Sequence, residues 1–304
     1  MFTYDGYMND VIIAFGDSIT ELGQDPRMNG WVSQLSNYYI RKLEVINRGY
    51  SGYNTENGWS VFSRMFPKSR GDVGCERMKF SSTERYKTAE NLDKRVELEI
   101  GTSESNRART KLVIIFLGTN DASFPVVSQH VSLENFKTNI HKMISLLSDP
   151  SSDRYSPDTR ILLISPPPIS ESMWDKTLAE DGFHIKFKSN DLTKEYSDKI
   201  VEIGKQRGIP TIDTWTSFMK EISSIREKKF GNPNLDNLSE QSYDDASYGF
   251  EELLLDGLHL SKKGNDKVFK MIVDKINECI PELRRETLDR CMPGIDSFFS
   301  INLQ

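Results

Sequence analysis

The hydrophobic residues of this chain form short runs that alternate with longer stretches of helical periodicity. The runs predict five strands, because each has the length of a strand and most end in turn residues. These strands are Val11–Phe15, Leu43–Ile46, Leu112–Leu117, Ile161–Ile164 and Pro210–Ile212. Uninterrupted apolar runs are typical of strands buried on both faces, as in a parallel sheet. The pattern therefore predicts an α/β fold around a five-stranded parallel sheet.

Stretches outside the predicted strands repeat their apolar residues every three or four positions, which predicts amphipathic helices. Four such faces are Trp31, Leu35, Tyr38 and Tyr39; Leu133, Phe136, Ile140, Ile144 and Leu147; Leu192, Tyr196, Ile200 and Ile203; and Val268, Phe269, Ile272, Val273, Ile276 and Ile280. Ser261 precedes the last face and is a candidate N-cap. Helices in these positions would cover both faces of the sheet.

Two segments interrupt this alternation within what we predict to be a single domain over residues 1–304. Residues 68–110 carry many charges of both signs and few large apolar side chains, and residues 223–249 are rich in Asn, Ser, Asp and Tyr. Such compositions are typical of surface insertions, and we favour solvated excursions over a substrate lid or a docking surface. The apolar tail from Pro293 to Gln304 is compatible with covering the core or with joining a second subunit in a homodimer.

The charge balance and the short apolar runs narrow the class of protein. The 304 residues include 39 Lys and Arg against 45 Asp and Glu, which gives a formal net charge of −6. A mildly acidic chain without a dominant basic stripe argues against nucleic acid or anionic lipid as the main partner. The longest apolar runs are about a third of the roughly 20 residues needed to cross a bilayer, so no membrane span is expected.

The cysteines and the N-terminal segment indicate a cytoplasmic protein. Cys75, Cys279 and Cys291 form no C-x-x-C pair, and an odd number of thiols suits a reducing compartment. The N-terminus carries acidic residues and no basic segment, and the apolar run behind it is too short for a signal peptide. No secretory signal is therefore expected. No phosphate-binding G-x-x-x-x-G-K-[ST] motif occurs and no G-x-G-x-x-G follows the first strand, so we expect no nucleotide cofactor.

Residues with candidate chemistry follow three of the predicted strands, at the edge where parallel α/β sheets bind ligands. Ser18 lies in the tripeptide GDS after the first strand, Gly52 lies in the turn after the second, and Asn120 lies in GTND after the third. Ser18 is a candidate nucleophile, whereas the Gly52 backbone and the Asn120 amide are candidate donors to an oxyanion. Each also has a structural alternative, a helix cap for Ser18 and a turn for the other two.

A serine nucleophile needs a base, and the chain has only four histidines: His130, His141, His184 and His259. His141 lies on a predicted amphipathic helix, and His130 has no acidic partner at a fixed spacing. The other two occur in Asp-Gly-x-His patterns that begin at Asp181 and Asp256. This spacing can place the carboxylate against Nδ1 while Nε2 faces outward. The predicted last helix would anchor the second pattern, which favours His259 and leaves His184 as the alternative.

Four segments together resemble the sequence blocks of the SGNH (GDSL) hydrolase superfamily, in the same order. They are FGDSITELG, RGYSGYNT, FLGTNDAS and LLLDGLHLSKKG, and they are most similar to its isoamyl acetate-hydrolysing esterase branch. The resemblance implies a flavodoxin-like three-layer α/β/α sandwich and a serine esterase that forms an acyl-enzyme on short-chain acyl or acetate esters of small alcohols. It implies Ser18 as nucleophile, His259 as base and Asp256 as its orienting carboxylate. It also implies an oxyanion hole of Ser18, Gly52 and Asn120, without a cofactor or a metal.

Two other function classes are compatible with the same residues. The GD and GxND turns are superficially similar to those of two-metal phosphoesterases, although four scattered histidines supply few metal ligands. A non-catalytic binding or scaffold protein on the same fold would use the charged segment 68–110 for its partners. The four sequence blocks retain every expected site residue, which argues against a scaffold.

Overall fold

The computed structural model describes residues 9–68, 108–230 and 246–290, and within them five strands form one parallel sheet. The strands are β1 (Val11–Gly16), β2 (Glu44–Gly49), β3 (Thr110–Phe116), β4 (Arg160–Ile164) and β5 (Thr211–Ile212). Their order is β2-β1-β3-β4-β5, and every neighbouring pair runs in parallel. All five predicted strands are therefore confirmed, although the partly exposed edge strand β2 starts and ends later than its apolar run.

Helices lie on both faces of this sheet. Those in the described residues are α1 (Ser18–Glu21), α2 (Trp31–Tyr38), α3 (Thr55–Met65), α4 (Leu133–Ser148), α5 (Glu171–Glu180), α6 (Asn190–Arg207), α7 (Thr214–Phe230), α8 (Phe250–Leu253) and α9 (Lys262–Cys279). The four predicted amphipathic helices are α2, α4, α6 and α9. Ser261 caps α9 as predicted, because its hydroxyl accepts a hydrogen bond from the backbone N–H of Gly264. Each helix in these ranges is too short or too polar to cross a membrane.

Alternate residues of the central strands pack into two hydrophobic cores, one on each face of the sheet. Ile12 and Ala14 of β1 join the core formed with α2, α7 and α9, whereas Ile13 and Phe15 join the core formed with α3, α4 and α6. Burying one Ile or Phe side chain contributes about 1.5–3 kcal/mol relative to exposing it. Because both faces are covered, consecutive strand residues are apolar, which explains the uninterrupted runs in the sequence.

The prediction of a surface loop over residues 223–249 is wrong for its first part, because α7 continues to Phe230. Arg226 is buried on this helix, and its guanidinium donates hydrogen bonds to the carbonyls of Ala246 and Tyr248. A buried arginine interrupts the apolar periodicity, so the helix could not be recognised from that pattern. Residues 231–245 lie outside the described residues.

The charged insertion and the C-terminal tail are not described by the structure. Residues 69–107 and 291–304 lie outside the described residues. The insertion at about 68–110, the single-domain organisation and the contribution of the tail to a homodimer therefore stay predictions.

The order of the strands creates a crevice beside β1. The chain passes from β1 outward to β2 and then returns to β3 on the other side of β1. Connections that leave neighbouring strands in opposite directions leave a gap at the carboxyl ends, where α/β proteins bind ligands. Ser18 begins α1 directly after β1, and Asn120 lies in the turn after β3. Both candidate site residues therefore flank this crevice.

Candidate active site

Side chains from near the two ends of the described chain meet at the carboxyl edge of the sheet. Ser18 Oγ lies 3.0 Å from His259 Nε2, and His259 Nδ1 lies 2.7 Å from Asp256 Oδ2. Both are hydrogen-bond distances. A hydroxyl, an imidazole and a carboxylate in this series can act as nucleophile, general base and orienting acid.

A tight turn before α9 holds Asp256 and His259 in this orientation. Asp256 Oδ1 accepts hydrogen bonds from the backbone N–H groups of Leu258 (2.9 Å) and His259 (2.8 Å), which leaves Oδ2 for the imidazole. Gly257 has a φ of +93°, a conformation that glycine adopts without steric cost. Its carbonyl accepts a hydrogen bond from the backbone N–H of Ser170 at 2.9 Å, so the turn is also fixed to the start of α5.

Asp256 and His259 stabilise each other's charged forms. Burial disfavours both charges, but the hydrogen bond and the charge of the partner outweigh it. The pKa of Asp256 therefore lies below its usual 3.8, and the pKa of His259 lies above 6.5. The ionised carboxylate accepts a hydrogen bond from the Nδ1–H of the neutral imidazole. Nε2 then carries the lone pair that can accept a proton from Ser18.

The other candidate oxyanion donors are joined by hydrogen bonds between their turns. Asn120 Nδ2 donates to the Tyr53 carbonyl at 3.0 Å, and Gln129 Nε2 donates to the Gly52 carbonyl at 3.1 Å. Since an amide nitrogen carries two hydrogens, Asn120 retains a second N–H for a ligand. The Ser18 N–H lies in the first turn of α1, where backbone donors have no partner within the helix. The turns that carry the three candidate donors therefore lie together at the carboxyl edge of the sheet.

None of the other three histidines is hydrogen-bonded to a carboxylate of the described residues. Asp181 and His184 are both exposed, and no hydrogen bond joins them in the part of the chain that the structure describes. His130 Nδ1 lies 2.6 Å from the Ser123 carbonyl, which gives this ring a structural contact. His141 lies on α4, as the sequence pattern predicts. Of the two Asp-Gly-x-His patterns, only the second reaches Ser18.

A family model described as GDSL-like Lipase/Acylhydrolase matches residues 12–272, which is most of the chain. The chain belongs to this family. The resemblance drawn from the four sequence blocks is thus confirmed, and family membership makes the protein a carboxylic ester hydrolase. A two-metal phosphoesterase would need a cluster of ligating side chains, and the described ranges contain no group of three or more His, Cys, Asp or Glu residues that could hold a metal ion.

Similar proteins in the GDSL family cover nearly the whole chain. An isoamyl acetate-hydrolyzing esterase 1 homolog from Bos taurus is 27% identical over 274 residues, which cover 90% of this chain and 83% of the relative. A GDSL esterase/lipase from Arabidopsis thaliana is 29% identical over 275 residues, with 89% and 87% covered. Among solved structures, a possible lipase from Chitinophaga pinensis has a TM-score of 0.52 at 18% identity and covers 88% of this chain and 98% of its own. That structural likeness supports the three-layer fold.

An apolar cleft of this GDSL hydrolase opens beside the imidazole. Its volume is about 180 Å³, and His259 lies in its wall together with Ile19, Leu22, Met28 and Leu255. Leu22 and Leu255 are 49% and 61% exposed, and both lie at this one cleft. Exposed apolar side chains that group around a concavity are typical of a binding site for an apolar group. The cleft can therefore hold an apolar part of a ligand next to the His259 side chain.

Two buried carboxylates support the turns that carry the candidate site residues. Asp17 accepts a hydrogen bond from the Ile19 N–H at 2.9 Å and so caps α1, while Asp121 accepts bonds from both the N–H and the hydroxyl of Thr55. Burial raises the pKa of Asp17 to about 6 and that of Asp121 to about 7. Asp121 thereby fixes the turn after β3 to the start of α3.

Two other residues lie beside the site, and of these only Lys188 escaped the sequence analysis. The ring of Trp174 on α5 meets the His259 imidazole edge-on, with 6.1 Å between the ring centroids. Lys188, in the connection between α5 and α6, is buried against the turn that contains Asn120. In the sequence, Phe183, Ile185 and Phe187 alternate with polar residues, and Lys188 continues the polar set, so nothing in this pattern indicates that the lysine is buried.

Proposed function

We propose that this chain is a serine esterase in which Ser18, His259 and Asp256 form the catalytic triad. Ser18, Gly52 and Asn120 supply its oxyanion hole. The proposal is carried by the 3.0 Å contact between Ser18 Oγ and His259 Nε2, with Asp256 on the opposite ring nitrogen. This geometry gives the hydroxyl a base within proton-transfer distance and gives the base a partner for its positive charge.

Acylation begins when Ser18 Oγ attacks the carbonyl carbon of the ester and its proton passes to His259 Nε2. The electron pair of the carbonyl bond moves to oxygen, and this oxyanion accepts hydrogen bonds from the Ser18 and Gly52 N–H groups and from Asn120 Nδ2. When the electron pair returns, the bond to the alcohol oxygen breaks. That oxygen takes the proton from Nε2, and the alcohol leaves an acyl group on Ser18.

Deacylation repeats these steps with water as the nucleophile. His259 Nε2 accepts a proton from the water, whose oxygen attacks the acyl carbon, and the same donors bind the second oxyanion. The Ser18 oxygen then leaves with the proton from Nε2, and the carboxylic acid is released. Residues of the chain handle every proton and electron pair in this sequence, so the reaction needs no cofactor or metal.

The apolar cleft beside His259 supports an ester of a small apolar alcohol as the substrate. The leaving oxygen takes its proton from Nε2, so the alcohol group must lie next to the imidazole, and His259 is part of the cleft wall. A cavity of about 150 Å³ is large enough to bind benzene, so a cleft of about 180 Å³ can hold roughly six heavy atoms. The alcohol part of isoamyl acetate, for which the Bos taurus relative is named, fits this size.

The cysteines support the cytoplasm as the compartment of this proposed esterase. Among the described residues, Cys279 is exposed and forms no disulfide. Exposed thiols stay reduced in the cytosol and are oxidised readily outside it. We therefore keep the cytoplasmic location as part of the proposal.

Replacing single residues tests the triad. Ser18→Ala and His259→Ala are expected to abolish hydrolysis of p-nitrophenyl acetate, and Asn120→Ala should lower kcat by about 10²–10³ because one oxyanion donor is lost. A fluorophosphonate should label the wild-type chain and not Ser18→Ala. His184→Ala is the matched control and should keep full activity. An inactive His184→Ala beside an active His259→Ala would show that the base is assigned wrongly.

Acetate esters of alcohols of increasing length test the cleft. We expect kcat/KM to rise up to alcohols of roughly five or six heavy atoms and to fall for longer ones. Leu255→Ser should lower kcat/KM for the preferred alcohol about fivefold to tenfold, because apolar contact is lost, and should leave methyl acetate unaffected. Val126→Ser, at an exposed apolar residue outside the cleft, is the control. A preference that follows the acyl length and ignores the alcohol would contradict this assignment.

A further inference from the structure

Lys188 is almost completely buried behind the crevice, at 2% exposure. Its Nζ lies 2.6 Å from the carbonyl oxygen of Thr119 and 2.6 Å from Ser123 Oγ. These two partners stand on either side of Asn120 in the sequence. A buried ammonium group is costly unless it is hydrogen-bonded, so both contacts are part of what keeps Lys188 in this position.

The direction of the hydrogen bonds links Lys188 to Asn120. An ammonium group can only donate, so the Ser123 hydroxyl must accept from Nζ, and its single hydrogen is free to donate. That hydrogen goes to the Asn120 carbonyl, 2.8 Å from Ser123 Oγ. Lys188 therefore holds the backbone of this turn at two consecutive residues, at Thr119 directly and at Asn120 through Ser123.

The segment that carries Lys188 is itself tied to the same turn. The carbonyl of Phe187 accepts a hydrogen bond from the Phe124 N–H at 2.8 Å, directly after Ser123. The charge of Lys188 also acts on the two buried carboxylates next to the site, Asp17 and Asp121. Burial lowers the pKa of Lys188 to about 8, although both carboxylates oppose this shift, so the lysine is protonated at neutral pH.

We propose that Lys188 is a positioning residue for the oxyanion hole, which holds the Thr119–Asn120 backbone so that the Asn120 amide stays directed at the reacting carbonyl oxygen. This inference rests on the proposed function, because it acts through the hydrogen bond that Asn120 makes to the oxyanion. That bond strengthens in the transition state, so Lys188 should affect kcat and not the binding of the ester. Lys188 lies outside all four sequence blocks that carry the other site residues.

Lys188→Met removes both hydrogen bonds and keeps an unbranched side chain. We expect kcat for p-nitrophenyl acetate to fall roughly tenfold to hundredfold, because displacing a catalytic group by about 1 Å costs up to 10² in rate. KM should stay within about twofold. The decisive comparison uses Asn120→Ala as the background, in which Lys188→Met should cause no further loss of kcat. Titration with a fluorophosphonate gives the number of intact sites, so all rates are expressed per active Ser18.

Two variants keep this test decisive. Ser123→Ala retains the lysine charge and its hydrogen bond to Thr119, and removes the hydroxyl that links Nζ to the Asn120 carbonyl. We expect kcat to fall about threefold to tenfold, and again not in the Asn120→Ala background. Ser123→Ala replaces Lys188→Met if that variant does not fold. Lys186→Met removes an exposed lysine from the same connection and should be unchanged.

Three results separate the outcomes. Unchanged kcat in both Lys188→Met and Ser123→Ala would overturn the positioning proposal, and so would equal losses with and without Asn120. Wild-type protein that hydrolyses no ester would instead overturn the proposed function.

Discussion

Asp256 divides its two carboxylate oxygens between the backbone of its own turn and the imidazole of His259. Oδ1 accepts two backbone N–H groups, and Oδ2 accepts Nδ1. The same carboxylate therefore fixes the position of the ring and favours its positive charge. Burial works in the opposite direction and disfavours that charge. The pKa of His259 depends on which of these effects prevails. Replacing Asp256 should therefore change the direction in which this pKa is shifted from 6.5.

Asp256→Asn should move the pKa of His259 from above 6.5 to below it. Burial, which lowers the pKa and is the largest single effect on it, remains after the substitution. The charge and the carboxylate acceptor of Asp256, which raise the pKa, are removed, and the charge of Asp17, which also raises it, is a smaller effect than burial. Titration of the imidazole Hε1 resonances by NMR gives this pKa directly, and His259→Ala assigns the signal. His141, whose pKa is lowered mainly by burial, is the internal control and should titrate below 6.5 in both proteins. A His259 midpoint that stays above 6.5 in Asp256→Asn would contradict the pairing.

Asp256→Asn should also change how kcat/KM depends on pH. A neutral His259 is needed to accept the Ser18 proton, so the acidic limb of kcat/KM for the wild type should have its midpoint above pH 6.5. In Asp256→Asn the midpoint should shift to lower pH, while the plateau falls by roughly 10⁴ because the imidazole loses its preferred tautomer.

A site residue could be predicted from the sequence where the residues that fix its position are close to it in the sequence. Ser18 lies one turn beyond a buried strand, and His259 is three residues from the carboxylate that orients it, so short motifs reveal both. Lys188 is buried because the turn after β3 packs against the connection before α6, and its contacts are 65 and 69 residues away. No local pattern encodes such a contact, so this residue could be found only in the structure.

At the scale of elements, the two Asp-Gly-x-His turns have similar sequences, and packing determines which of them holds its histidine at the site. Gly182 and Gly257 both have positive φ, at +88° and +93°. A Cβ on Gly182 would meet nothing within 4 Å. A Cβ on Gly257 would lie 2.6 Å from the backbone nitrogen of Trp174 and 2.7 Å from the backbone carbonyl oxygen of Ser170. Only the second turn is packed against a neighbouring helix, and that packing holds its histidine in place.

Gly257→Ala should therefore impair catalysis where Gly182→Ala does not. Both substitutions pay about 1–2 kcal/mol for the left-handed conformation. Only Gly257→Ala also forces the turn away from the start of α5, and we expect kcat to fall by about 10² as His259 shifts relative to Ser18. Steady-state kinetics on the two variants, with their stability measured by urea unfolding, makes the comparison. Equal activity in both would mean that the contact with α5 does not position the histidine.

The boundaries of a helix or strand could be predicted where local residues determine them, and not where a contact with a distant part of the chain does. The strands and the helices α2, α4, α6 and α9 could be predicted because their apolar periodicity reflects the two cores of the sheet. The last turns of α7 could not, since they depend on Arg226 binding the carbonyls of Ala246 and Tyr248, about 20 residues further along the chain.

At the scale of the whole molecule, one hydrophobic core brings Ser18 and His259 together. Ile12 and Ala14 of β1 pack in the same core as Val268, Ile272 and Ile276 of α9. Ser18 follows β1 and His259 precedes α9, so docking α9 on the sheet places the imidazole over the hydroxyl. The sequence predicts both elements and the amphipathic face between them, but the 3.0 Å contact depends on how the layers pack.

Ile272→Ala tests this dependence, because Ile272 is fully buried between α9 and the sheet and lies on the helix away from the turn that carries His259. Losing its side chain should lower the free energy of unfolding by about 2–5 kcal/mol. At temperatures well below the transition kcat should be unchanged, since the folded state keeps its geometry. In urea, ester hydrolysis and the circular dichroism signal should be lost together, at a lower midpoint than in the wild type.

Asp274→Ala, on the exposed face of α9, is the control, and its free energy of unfolding should stay within about 0.5 kcal/mol of the wild type. Activity lost at a lower urea concentration than the helical signal would mean that α9 detaches before the sheet unfolds, and the site would then depend on one helix and not on the whole fold.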